Sequence, residues 1–295
     1  MVQLEKLSAN RVSTGTLTKY KFPSSSLKLD TQFNLFVPGS AGSSSPVPVL
    51  FYLAGLTCNE DTGAQKGGFL NTAGQEGIAV VFPDTSPRGA GVEGEDDDWQ
   101  LGTGAGFYLN ATAEKWKKHY NMYDLVVEEL PAVLKEADLG LDFTRVSIMG
   151  HSMGGHGALS LYLKNLDKYK SASAFAPACN PSRTPWGINA FKNYLDARTR
   201  SNPPAEWLQY DSTHLLGGTQ APKGSLHILV DSGSADDFGK KGQLEPERLK
   251  EAAEHAGREE GEVQVRIQDG FDHSYYFIST FAPEHVAFHA KYLKA

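Results

Sequence analysis

Cysteine is nearly absent: the 295 residues include only Cys58 and Cys179. Two cysteines cannot form a disulfide framework, and their scarcity points to a reducing, cytoplasmic setting. Long apolar runs are also missing. No segment approaches the roughly 20 residues of a membrane span, and Met1-Val2-Gln3-Leu4-Glu5-Lys6 lacks the apolar stretch of a secretory leader. Positive charge is in deficit, with 28 Lys and Arg against 35 Asp and Glu and a formal net charge of −7. That balance argues against a nucleic-acid or anionic-membrane partner, which would require basic clustering. Metal-ligand spacing is lacking too: His151 and His156 are wrongly spaced for a metal pair and read as packing or polar-network residues. There is no internal repeat, low-complexity block or long linker, so one domain over 1–295 is expected. A hydrophobic content of 40% is ample for its core. The acidic run Glu93-Gly94-Glu95-Asp96-Asp97-Asp98 reads as a solvated loop.

What is present centres on Gly150-His151-Ser152-Met153-Gly154. A short apolar run, Arg145 to Met149, precedes it and suits a buried strand. Gly155 to Leu163 follows, with the Ala and Leu content of a helix. A strand, a G-x-S-x-G turn and a helix form a nucleophile elbow, the signature of an α/β-hydrolase. The turn is tight enough to strain Ser152, and glycine at 150 and 154 removes side chains that would collide. The helix behind the turn aims its first N–H groups at negative charge forming beside the serine.

The rest of the chain supplies a scaffold for that turn. Residues 1 to 36 alternate polar and apolar positions, as two half-exposed antiparallel strands would. Continuous apolar runs at Pro48 to Leu53, Ala79 to Phe82, Arg145 to Met149 and Leu226 to Val230 read as buried parallel strands. Helical stretches at Gly68 to Glu76, Tyr123 to Glu136, Gly155 to Leu163 and Glu245 to His255 separate them, and Pro131 should kink the second or lie near a break in it. The expected fold is therefore α/β: a mostly parallel central sheet, helices on both faces and an antiparallel N-terminal edge.

A serine hydroxyl needs a general base, and the base needs a carboxylate to fix its tautomer. In this fold they follow the nucleophile in the order acid, then histidine, at strand ends. The loop after Leu226 to Val230 carries Asp231, Asp236 and Asp237. Asp231 suits a structural role at the strand end, and sequence physics leaves Asp236 and Asp237 even. His273 lies in a loop after the β-rich run Val263 to Ile267 and just before the aromatic stretch Ser274-Tyr275-Tyr276-Phe277. It is the best-placed base, ahead of His255 and His285 in expected helices. An oxyanion hole would draw one amide from Met153 and another from Leu56, in the Ala54-Gly55-Leu56-Thr57-Cys58 loop after an early strand.

Several stretches carry a closer resemblance. They are Leu53-Ala54-Gly55-Leu56-Thr57-Cys58, Pro83-Asp84-Thr85-Ser86-Pro87-Arg88-Gly89, Gly102-Thr103-Gly104-Ala105-Gly106-Phe107-Tyr108, the elbow continued through Ala158, Ala176 to Pro181, Pro185-Trp186-Gly187, and Asp272 to Phe277. Over nearly its whole length the chain resembles the S-formylglutathione hydrolases (esterase D) of formaldehyde detoxification. The resemblance implies Ser152 as nucleophile, His273 as base and Asp236 as acid, with Leu56 and Met153 as oxyanion donors. It also implies a cysteine near the site at Cys58, a glutathione thioester as substrate, no cofactor or metal, and a homodimer. Trp186 is a candidate wall for a shallow acyl pocket. Two departures stand out: Trp99-Gln100-Leu101-Gly102 where the family usually has Trp-Asp-Phe-Gly, and Ala54 where it often has Ser. Neither touches the triad. A broad carboxylesterase or acyltransferase would use the same triad, and a hydrolase fold kept as a binding module would lack one of its members.

Overall fold

The computed structural model describes residues 4–295. Among the described residues nine strands form one sheet: β1 (Glu5–Val12), β2 (Gly15–Ser24), β3 (Leu29–Pro38), β4 (Val47–Leu53), β5 (Ala79–Pro83), β6 (Leu141–His151), β7 (Ala172–Phe175), β8 (Ile228–Gly233) and β9 (Val263–Gln268). Their spatial order is β1-β2-β3-β5-β4-β6-β7-β8-β9. The pairs from β1 to β5 are antiparallel, and β5-β4-β6-β7-β8-β9 is a parallel run. The alternation expected to give two N-terminal strands instead gives three. The chain reverses after Val12, with Ser13 at φ 52°, and Gly15 begins β2 directly against Val37 and Phe36.

Alternation within the parallel strands sorts side chains into two cores. In β4, Val49, Phe51 and Leu53 face one side, while Leu50 and Tyr52 face the other. The first side is covered by the elbow helix (Met153–Lys164) through Ala158, Leu159 and Tyr162. The second is covered by the C-terminal helix (Tyr275–Leu293) through Phe277, Ile278, Ala282, Val286 and Leu293. Burial on both faces explains why these strands read as continuous apolar runs.

Three local features refine the sequence reading. The kink at Pro131 is absorbed upstream: Leu125–Glu129 winds as a π-helical turn before Leu130–Glu136 resumes the α-helix with the proline in its first turn. A helix at Glu60–Lys66, capped by Asn59 and Thr62, was not anticipated. The acidic run is not wholly solvated. Glu95 is buried, where it accepts from the Gly91 amide (2.8 Å) and the Tyr120 hydroxyl (3.0 Å). Gly102 makes that burial possible, because a Cβ there would sit 1.8 Å from the Glu95 carbonyl oxygen.

Candidate active site

β6 delivers the elbow, and glycine is required on both sides of it. A Cβ on Gly150 would lie 2.1 Å from the Gly154 oxygen, and one on Gly154 would lie 2.0 Å from the Leu53 oxygen. Between them Ser152 takes φ 57° and ψ −117°, a costly conformation for a side-chain-bearing residue. Its hydroxyl stands at the start of the elbow helix and has no hydrogen-bond partner among the described residues.

Two loops reach Ser152 from different strands. After β4, Gly55 comes so close that a Cβ on it would be 3.2 Å from the Ser152 Cβ. The Thr57 amide, donating to Gly104 (2.9 Å), and the Tyr108 hydroxyl, donating to the Ala54 oxygen (2.9 Å), hold this loop in place. The Leu56 amide between these anchors donates to no backbone acceptor among the described residues. Met153 is the first residue of the elbow helix, so its N–H lacks an intrahelical acceptor.

The loops after β8 and β9 bring together a carboxylate and an imidazole. His273 Nδ1 lies 2.6 Å from Asp236 Oδ2. The other oxygen, Asp236 Oδ1, accepts from the amides of Phe238 (2.8 Å) and Gly239 (3.3 Å). Both carboxylate oxygens are thereby committed, and Asp236 is fully buried. Asp237 instead points outward, with its side chain 78% exposed beside Lys240. The His273 ring packs on His151, the residue before Ser152, at 4.5 Å between centroids. No hydrogen bond joins His273 to Ser152 in this structure; such bonds are often loose until substrate binds.

Aromatic rings continue outward from the imidazole. Phe238 packs edge-on against His273 (4.7 Å), Trp186 against Phe238 (4.6 Å), and half-exposed Trp99 against Trp186 (5.7 Å). Trp99 and Trp186 thus belong to the same wall. Cys58 is half-buried beside Tyr275; burial raises its thiol pKa, while Thr62 and Tyr275 act in the opposite direction.

A second set of serine, histidine and aspartate lies beneath the C-terminal helix. Asp231, at the end of β8, is clamped by Arg266 Nε (2.7 Å) and Nη2 (2.5 Å) and by Gln268 (3.1 Å). Burial pushes its pKa up, but His285, Arg266 and Gln268 outweigh that and bring it to about 2. Burial pushes His285 and His289 down, so both rings are neutral. The ionised Asp231 therefore accepts from His285 Nε2–H (3.1 Å), and His285 Nδ1 accepts from the Ser173 hydroxyl (2.9 Å). Ser173 in turn accepts from His289 Nε2–H (2.8 Å), whose Nδ1 accepts from Ser171 (2.8 Å). Ser171 accepts from Ser147 (2.8 Å). Every one of these six side chains is fully buried, so no substrate can reach them. They are an internal hydrogen-bond chain.

The putative esterase family matches residues 24–288. An S-formylglutathione hydrolase of Arabidopsis thaliana is 46% identical, covering 99% of this chain and 98% of its own. The rat S-formylglutathione hydrolase is 43% identical over the full length of both chains. The chain belongs to the S-formylglutathione hydrolase family. A solved S-formylglutathione hydrolase from Agrobacterium tumefaciens superposes with a TM-score of 0.88 at 41% identity, covering 98% of this chain and 99% of that one. The protein is accordingly an esterase of the α/β-hydrolase fold. S-formylglutathione hydrolase membership was legible in the sequence. The contact of His151 with His273 was not, because it joins residues far apart along the chain. Among the described residues no helix is long and apolar enough to cross a membrane, and no cluster of histidine, cysteine and carboxylates could hold a metal ion.

Proposed function

We propose that the chain hydrolyses S-formylglutathione to glutathione and formate through a formyl-Ser152 intermediate. Ser152 Oγ attacks the thioester carbonyl carbon while His273 Nε2 takes the hydroxyl proton. Asp236 keeps Nδ1 protonated and stabilises the imidazolium. The carbonyl oxygen, now an oxyanion, accepts from the Leu56 and Met153 amides. The C–S bond breaks, and the departing sulfur takes the proton from His273 and leaves as the glutathione thiol. A water then attacks the formyl ester as His273 takes one of its protons and passes it to Ser152 Oγ, and formic acid departs and ionises to formate in solvent. The observation that carries this reading is the 2.6 Å contact between His273 Nδ1 and Asp236 Oδ2, made beside a serine in the elbow conformation. A thiolate is a good leaving group, so little is demanded of the general acid. The wall of Phe238 and Trp186 supports a shallow acyl pocket. Both cysteines are free, which supports a reducing, cytoplasmic compartment.

The test is a comparison of kcat/KM on S-formylglutathione, S-acyl homologues of increasing length and aryl esters, with Ser152→Ala as control. The expected order puts the formyl thioester first and long acyl chains last. A preference for long-chain esters would overturn the substrate, and unchanged turnover by Ser152→Ala would overturn the nucleophile.

A further inference from the structure

His151 occupies the variable position before the nucleophile, yet its surroundings are those of a working group. It is almost wholly buried, and neither ring nitrogen has a hydrogen-bond partner among the described residues. Two orphaned nitrogens on one buried ring are costly, and an apolar ring of the same shape would avoid that cost. The ring is wedged among moving parts of the reaction. It lies 4.5 Å from the His273 ring and 5.8 Å from Tyr275, and a Cβ on Gly55 in the oxyanion loop would be 3.2 Å from His151 Nδ1. Burial, and then the charge that His273 can carry, hold the His151 pKa well down, so the ring is neutral when its neighbour becomes imidazolium. The His273 backbone sits near enough to oppose that shift without forming a hydrogen bond.

We propose that His151 is a positioning residue whose ring N–H closes onto the His273 backbone carbonyl as the base takes up the Ser152 proton. The closure holds the imidazolium in line between Asp236 and Ser152. It also gives the orphaned N–H a partner only when the cation is present, which favours the transition state over the resting enzyme. This rests on His273 acting as the base.

The experiment compares His151→Phe and His151→Asn with the parent enzyme by pH–rate profile, kcat, KM and Tm. Phe fills the space without nitrogens, so Tm should hold or rise while kcat falls about three- to tenfold. KM should stay put, and the acidic limb of the profile should shift to lower pH, because the imidazolium loses a contact that favours it. Asn keeps an N–H donor in its amide group and should recover part of kcat. Parent-like kcat and pH profile in His151→Phe would overturn the proposal, as would a kcat loss that merely follows a fall in Tm. A second measurement needs no variant: nitrogen NMR of the parent enzyme before and after a phosphonate mimic of the tetrahedral intermediate is attached to Ser152. A His151 N–H should move to a hydrogen-bonded position, and an unchanged resonance would refute the closure. His273→Ala separates the two readings, since retained activity there would overturn the base itself, whatever His151 does.

Discussion

Replacing Asp236 with Asn changes one atom and should disable the base without loosening the fold. The two oxygens of Asp236 have different tasks: Oδ1 accepts from the Phe238 and Gly239 amides, and Oδ2 faces His273 Nδ1 at 2.6 Å. In the Asp236→Asn variant the single amide oxygen must stay with the two backbone donors, so the NH2 group turns toward His273. An NH2 group donates, which forces Nδ1 to accept and moves the imidazole proton to Nε2. That nitrogen can then no longer take the Ser152 proton. Such a tautomer error lowers kcat by about 10⁴, equivalent to roughly 5 kcal/mol of barrier. Stability should change by less than about 1 kcal/mol, because the cap of the short helix starting at Asp237 is retained. Asp236→Ala loses both the orienting group and the cap, so it should lose activity and also about 1 kcal/mol. Asp237→Asn, on an exposed side chain, should stay within about twofold of the parent in kcat, as surface changes generally do. The assay is steady-state hydrolysis of a formyl thioester alongside urea unfolding of each variant. Activity within tenfold of the parent in Asp236→Asn, or a large loss in Asp237→Asn, would refute the argument.

Other outcomes follow from the same geometry. Ser152→Gly should abolish hydrolysis yet stabilise the protein by about 1 kcal/mol, because glycine takes φ 57° without strain; a lower Tm would contradict the strain. Gly154→Ala should cost several kcal/mol or prevent folding, since its methyl would sit 2.0 Å from the Leu53 oxygen. Soluble expression at the parent Tm would contradict this. Acid should destabilise the protein in two stages. His285 and His289 have folded pKa values below their unfolded value near 6.5, so stability is flat above that pH. It falls by up to about 1.4 kcal/mol per unit for each histidine as pH drops toward the folded values. Asp231 adds a second loss between its unfolded pKa near 4 and its folded pKa of about 2. Urea midpoints from pH 8 to pH 4 test the first stage, which His289→Gln should flatten.

The sequence exposed features whose cause is local and hid those whose cause is a distant partner. The elbow was readable because the close approach of Gly150 and Gly154 to backbone is written into a five-residue motif. The strands β4, β5 and β6 were readable because both faces meet apolar layers. The central strand β7 was not anticipated: Ala172–Phe175 is short, and Ser173 points at His285 and His289 rather than at hydrocarbon. Polar partners on a helix more than 100 residues away erase the apolar signature of a buried strand. The same applies to Glu95, whose burial depends on Tyr120 and on the absence of a side chain at Gly102. The choice between Asp236 and Asp237 could not be read from neighbours in sequence. It turns on which carboxylate faces inward once the loop is capped.

The line of side chains from Ser147 to Asp231 has an arrow. Each hydroxyl and each ring hands its hydrogen one step toward the carboxylate, through strands β6, β7 and β8. Neutralising that terminus, as Asp231→Asn would with a donor facing His285, reverses every member in turn. Both imidazoles would exchange tautomers and three hydroxyls would swing around, while the backbone need not move. A charge at one strand's end can therefore be registered on a distant strand as a change of direction alone.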